Sequence, residues 1–136
     1  MAPGEVTENV SVNQELRERV EKIEEAYEFF LAYAAQGLSG EGADGQVRVF
    51  LDQMLAALDG LGDRFRTLAR EVPLQPEDVW LDFVDVLEGD AVRARSAVAL
   101  VAAKDTVSSQ LVDNMNANSH VRAMLTDVFL MDSALG

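Results

Sequence analysis

The chain has 136 residues, nearly half of them apolar, and sets 24 acidic side chains against 11 basic ones for a formal net charge of −13. That length suits one domain with one core, and that charge repels phosphate backbones, so direct nucleic-acid binding is not expected. The absence of cysteine excludes disulfides, thiolate metal sites, iron–sulfur clusters and cysteine nucleophiles.

The first residues lack the basic and apolar regions of a secretory signal. The apolar run from Ala97 to Ala103 is far shorter than the roughly 18 residues a membrane span needs. A cytoplasmic protein is expected, and the preference for arginine over lysine, with abundant alanine, suggests a GC-rich bacterial genome.

Residues 1–10 carry Pro3, Gly4, Thr7 and Asn9 without periodicity and read as a flexible tail. Ser11 and Gln14 have the spacing of a capping box, which predicts a helix from about Val12 to Gln36. Its series Leu16, Val20, Ile23, Tyr27, Phe30, Ala34 steps alternately by three and four, the seam that packs into a partner helix. Ala26, Phe29 and Tyr33 add a second stripe beside it. The glycine-rich stretch 37–45 turns the chain back.

A second series, Val47, Leu51, Met54, Leu58, Leu61, Phe65, Leu68, Val72, predicts a helix over 46–72. Gly60 and Gly62 each weaken it by about 1 kcal/mol relative to alanine, so one helix, bent there, is expected. Pro73 and Pro76 end it. A third helix over 76–88 begins with Pro76, Glu77 and Asp78, residues that favour a first turn. It carries Val79, Trp80, Phe83, Val84, Val86 and Leu87, and Gly89–Asp90 marks a kink or a break. A fourth helix over 91–115 is rich in small apolar residues. Asn118 or Ser119 caps a final one over 120–133.

The expected fold is all-α: four long helices plus a short C-terminal helix in one bundle domain over 11–136, built on a long antiparallel helical hairpin. Two apolar stripes on the first helix mean two neighbours, which favours a homodimer with the hairpin packed across a symmetry axis.

No reactive constellation stands out. Glu21, Glu25 and Glu28 share a helix face, as do Asp78, Asp82 and Asp85. Inward carboxylates such as Glu21, Glu25, Glu28, Asp82 and Asp85 are what a ferritin-like metal site uses, but the Glu-x-x-His pairs of such sites are missing. His120 stands alone, short of the ligands zinc needs. Ser108 and Ser109 lack a nucleophile elbow, and the loop at 37–45 lacks the spacing and lysine of a phosphate-binding loop. The polar run from Asp105 to His120 suits a pocket lining, a protein interface or a frayed helix end.

Together these features read as a small acidic protein-interaction module without catalytic residues or cofactor: an adaptor, assembly factor or regulatory subunit. Its candidate contact residues are Tyr27, Phe29, Tyr33, Trp80, Arg66 and Arg70. The rival readings are the ferritin-like carboxylate protein and an acidic inhibitor that mimics DNA.

Overall fold

The computed structural model describes the backbone of residues 3–36 and 41–136 and the side chains of 13–36 and 45–136. Every regular element among them is helical: α1 (Pro3–Gln36), α2 (Glu41–Leu58), α3 (Leu61–Glu71), α4 (Glu77–Ala102), α5 (Ser109–Ala117) and α6 (Ser119–Leu135). The fold is a helical bundle, as the two heptad-spaced series imply, but with six helices in place of the expected five.

The series on α1 and α2 meet as intended. Phe29 stacks on Phe50 with ring centroids 4.2 Å apart, Gln53 Nε2 donates to Lys22 O, and Arg19 reaches Ala57 O. These contacts descend α1 as they climb α2, so the two helices run antiparallel. Leu16, Val20, Ile23 and Phe30 join Leu51, Met54, Leu58 and Leu61 in one continuous core. The second stripe on α1 is also consumed within the chain. Ala26 and Tyr33 are buried in that core, and Phe29 packs against it. The Tyr33 hydroxyl donates to Val107 O at 2.6 Å, which ties the turn between α4 and α5 to α1.

The predicted boundaries shift for identifiable reasons. Helix α1 starts at Pro3 rather than near Val12, with proline at the first helical position, where its missing N–H costs nothing. The expected Ser11 cap lies outside the described side chains, and residues 37–40 lie outside the described backbone. Helix α2 starts at Glu41, ahead of the expected Gln46.

The single helix over 46–72 is instead two. Gly60 adopts φ 69°, left-handed backbone that an α-helix cannot contain. Arg19 caps the interrupted end through Asp59 O at 2.6 Å. The apolar phase nevertheless survives, since Leu58, Leu61 and Phe65 are all buried. A break that keeps the buried stripe aligned costs a few backbone hydrogen bonds and no core contact.

The opposite correction applies further on. Gly89–Asp90 does not break α4, which runs unbroken through both. Val84, Leu87, Ala91, Ala94, Val98 and Val101 form one buried stripe across the site, and that stripe outweighs the helix penalty of one glycine. The break comes at 103–108 instead, so the expected helix over 91–115 is the end of α4 and most of α5. Arg48 of α2 donates to Ala102 O, Lys104 O and Asp105 O, capping the α4 terminus from outside. Ser108 Oγ then accepts the Leu111 N–H and starts α5. Asn118 caps α6 as expected, its Oδ1 accepting from His120 N and Val121 N.

Candidate interaction surface

Helix α4 carries two stripes. The first is the buried one just described. The second is Val79, Phe83, Val86, Asp90, Arg93, Ala97 and Leu100, which steps by four and three in strict alternation through 22 residues of the sequence. From Phe83 onward each member precedes a core residue by one position. At 3.6 residues per turn this sets the second stripe about 100° around the helix from the first. Val79, Val86 and Leu100 are 58%, 52% and 70% exposed, while Phe83 and Ala97 are partly buried against the core. Asp78, Asp82 and Asp85 border the first half of this stripe and are exposed.

Its two polar members lie together at the middle. Arg93 Nη1 stands 4.0 Å from Asp90 Oδ1, with Arg93 well exposed and Asp90 largely covered. Asp127 of α6, the helix packed alongside α4, brings a second carboxyl to Asp90. Burial first, and then the hydrogen bond and charge of Asp90, push the Asp127 carboxyl up to about 7. Its Oδ2 is buried without a hydrogen-bond partner.

The folded protein therefore holds a proton on Asp127 that the unfolded chain, with an ordinary value of 3.8, releases. That contribution to stability is complete below about pH 4 and is lost as the pH rises through 7. Asp127→Asn removes this loss. We expect thermal unfolding at pH 8 to show a gain of about 1 kcal/mol, after allowance for solvent around the pair. The decline in stability that the parent shows between about pH 5 and 7 should be smaller in the variant.

The other candidate residues lie elsewhere, mostly in structural roles. Tyr33 is 1% exposed and belongs to the core. Tyr27 and Phe29 pack against the core from partly buried positions. Trp80 folds over the Pro76 corner, its Nε1 donating to Gln75 O at 3.3 Å. Arg66 binds Asp63, Asp85 and Glu88 and so clamps α3 to α4. Its hydrogen bond to Glu88 holds that carboxyl below its usual range. Arg70 lies in the last turn of α3, where a cation complements the helix dipole.

Among the described residues Glu21, Glu25, Glu28 and Asp82 have no ion pair to a neighbouring helix that would draw them inward, and Asp85 is taken up by Arg66. Among the described residues no three histidine or acidic side chains are grouped to hold a metal ion. Glu24, between them on α1, has its carboxyl pushed up by burial, then by Asp132, Glu28 and Glu21.

The polar run 105–120 divides into caps and a groove. Ser109, Gln110, Asp113 and Asn116 of α5 face Leu31 and Ala35 of α1 across an open groove of about 480 Å³. Asn116 Nδ2 donates to Phe30 O at 3.2 Å, and its Oδ1 is buried without a partner. Asn116 thus locks α5 to α1 through a buried polar contact. The sequence signal for it is faint: one asparagine among several in a run of turn formers.

No family model, no curated protein and no solved structure matches this chain. No helix among the described residues is long and apolar enough to cross a membrane.

Proposed function

We propose that the protein is a non-catalytic, cytoplasmic interaction module, an adaptor or regulatory subunit that works as a homodimer and binds through the outer face of α4. The observation that carries this reading is the set of branched aliphatic side chains on that face, Val79, Val86 and Leu100, each more than half exposed on a stripe of heptad spacing. Apolar side chains aligned in this way and rimmed by carboxylates are typical of protein-binding surfaces; scattered exposed aliphatics are not. The rim favours solubility before binding and specificity afterwards.

A photo-reactive residue placed at Val86 is expected to form covalent protein adducts on irradiation, in purified protein or in cells of the source organism. The same residue at Val49, similarly exposed but on α2, is expected to form none. Absence of adducts from Val86 in both settings, or equal yields from Val49, overturns the reading.

A further inference from the structure

We infer that the outer stripe of α4 pairs with the same stripe of a second copy, antiparallel and in one register, with Asp90 of each chain against the partner's Arg93. This rests on the reading of that face as an interaction surface and names its occupant.

The spacing limits how two such stripes can meet. In heptad terms Phe83, Asp90 and Ala97 occupy one seam position, and Val79, Val86, Arg93 and Leu100 the other. When two such seams run antiparallel, members of the first set face members of the second. One register places Phe83 against the partner's Leu100, Val86 against the partner's Ala97, and Asp90 against the partner's Arg93. Two-fold symmetry then repeats each layer in reverse about an axis between Ala91 and Val92. Both charges of each chain find an opposite charge, and every apolar member of these layers finds an apolar one, bulky against smaller in the Val86 layer. Val79 lies outside the paired layers, level with the partner's Lys104 beyond the end of α4.

The competing arrangements are each penalised. A shift of one heptad in one direction sets Asp90 against Val86 and Arg93 against Phe83. A shift in the other direction sets Asp90 against Leu100 and Arg93 against Ala97. Both leave charges facing apolar side chains in the seam, which is costly. A parallel, in-register pair sets Asp90 on Asp90 and Arg93 on Arg93. A polar pair inside an otherwise apolar seam fixes register and orientation in this way at some cost in affinity.

The flank of the stripe is compatible with close approach. Gly89 and Ser96 border it on the side away from the core, and a β-carbon at Gly89 would lie 3.1 Å from the Arg93 guanidinium. Glycine there lets the Arg93 guanidinium lie back over the helix backbone.

Charge exchange tests the register. Asp90→Arg alone sets arginine against arginine at the axis, and Arg93→Asp alone sets aspartate against aspartate. Each variant is expected to sediment as a monomer where the parent chain is a dimer. An equimolar mixture of the two restores opposite-charge layers and is expected to give a heterodimer.

Because the chain has no cysteine, disulfide trapping supplies a second measurement that leaves both charges in place. Val86→Cys with Ala97→Cys in one chain is expected to give an interchain crosslink on mild oxidation. Either cysteine alone is expected to give none, since like positions are then about 16 Å apart along the helix. A parent chain that stays monomeric overturns the inference, as does a dimer that both charge variants leave intact, or crosslinking by a single cysteine. If the parent is monomeric yet Val86 still forms adducts with another protein in cells, self-pairing falls and the interaction face stands.

Discussion

Tyr33→Ala is expected to lower the unfolding free energy by about 3–5 kcal/mol, the range for removing a large buried aromatic side chain. The side chain is among the largest that are fully enclosed. It stacks beside Phe29 with ring centroids 6.0 Å apart, and its hydroxyl holds Val107 at the turn into α5. Alanine loses all three at once: the volume, the ring contact and the anchor of the turn. Tyr33→Phe separates them, because it keeps the ring and removes only the hydrogen bond, at a cost of about 1 kcal/mol. Chemical denaturation of both variants should show this gap. A similar, small loss for the two would mean that the space around Tyr33 collapses easily and that Val107 finds another donor.

Gly62→Ala is expected to cost about 1–3 kcal/mol, although alanine is the better helix former by about 1 kcal/mol. A β-carbon at Gly62 would lie 2.5 Å from Glu88 Oε2, 2.7 Å from Glu88 Cβ and 2.9 Å from its Cγ. The carboxylate could swing aside, but the Cβ is fixed to the α4 backbone, so α3 and α4 must part. Parting them strains the Arg66 clamp, in which Nη1 lies 2.6 Å from Glu88 Oε2 and Nη2 lies 2.7 Å from Asp85 Oδ1. Gly60 gives the contrast. A β-carbon there meets nothing within 4 Å, so Gly60→Ala carries only the left-handed backbone cost of about 1–2 kcal/mol. Melting curves check both. A Gly62→Ala variant as stable as the parent would mean that α3 and α4 part freely and that the close approach carries no energy.

The helical class and the core of α1 and α2 were legible because a period that alternates three and four over many residues fits a helix and no strand. Leu16, Val20, Ile23, Leu51, Met54 and Leu58 are all buried where that period puts them. The boundaries were harder to read. Glycine at 60 ends a helix and glycine at 89 does not. The difference lies in φ and in the surrounding packing, neither of which a lone glycine reveals. A division at Gly89–Asp90 also hides the candidate surface. It cuts the outer stripe of α4 in half, leaving Val79, Phe83 and Val86 in one piece and Ala97 and Leu100 in another.

The second stripe on α1 misleads in the other direction. An apolar face shows that a helix needs a neighbour, and here α2 and α5 of the same chain supply it. The carboxylates offer no purchase at all from sequence. Asp90 and Asp127 are far apart along the chain and meet only because α6 packs beside α4.

The placement of arginine has an electrostatic consequence for the whole molecule. Arg19 and Arg48 lie over the open carbonyl ends of α2 and α4, and Arg66 is enclosed by carboxylates. Three of the eleven basic side chains are thus held in the seams between helices, and with a net charge of −13 the outward field is dominated by acid. Copies of such a chain repel one another at long range, and its own surface repels itself. Added salt screens both effects over about 10 Å at 0.1 M. Association between copies should therefore tighten as ionic strength rises, opposite to the behaviour of a complex built on attraction between oppositely charged surfaces.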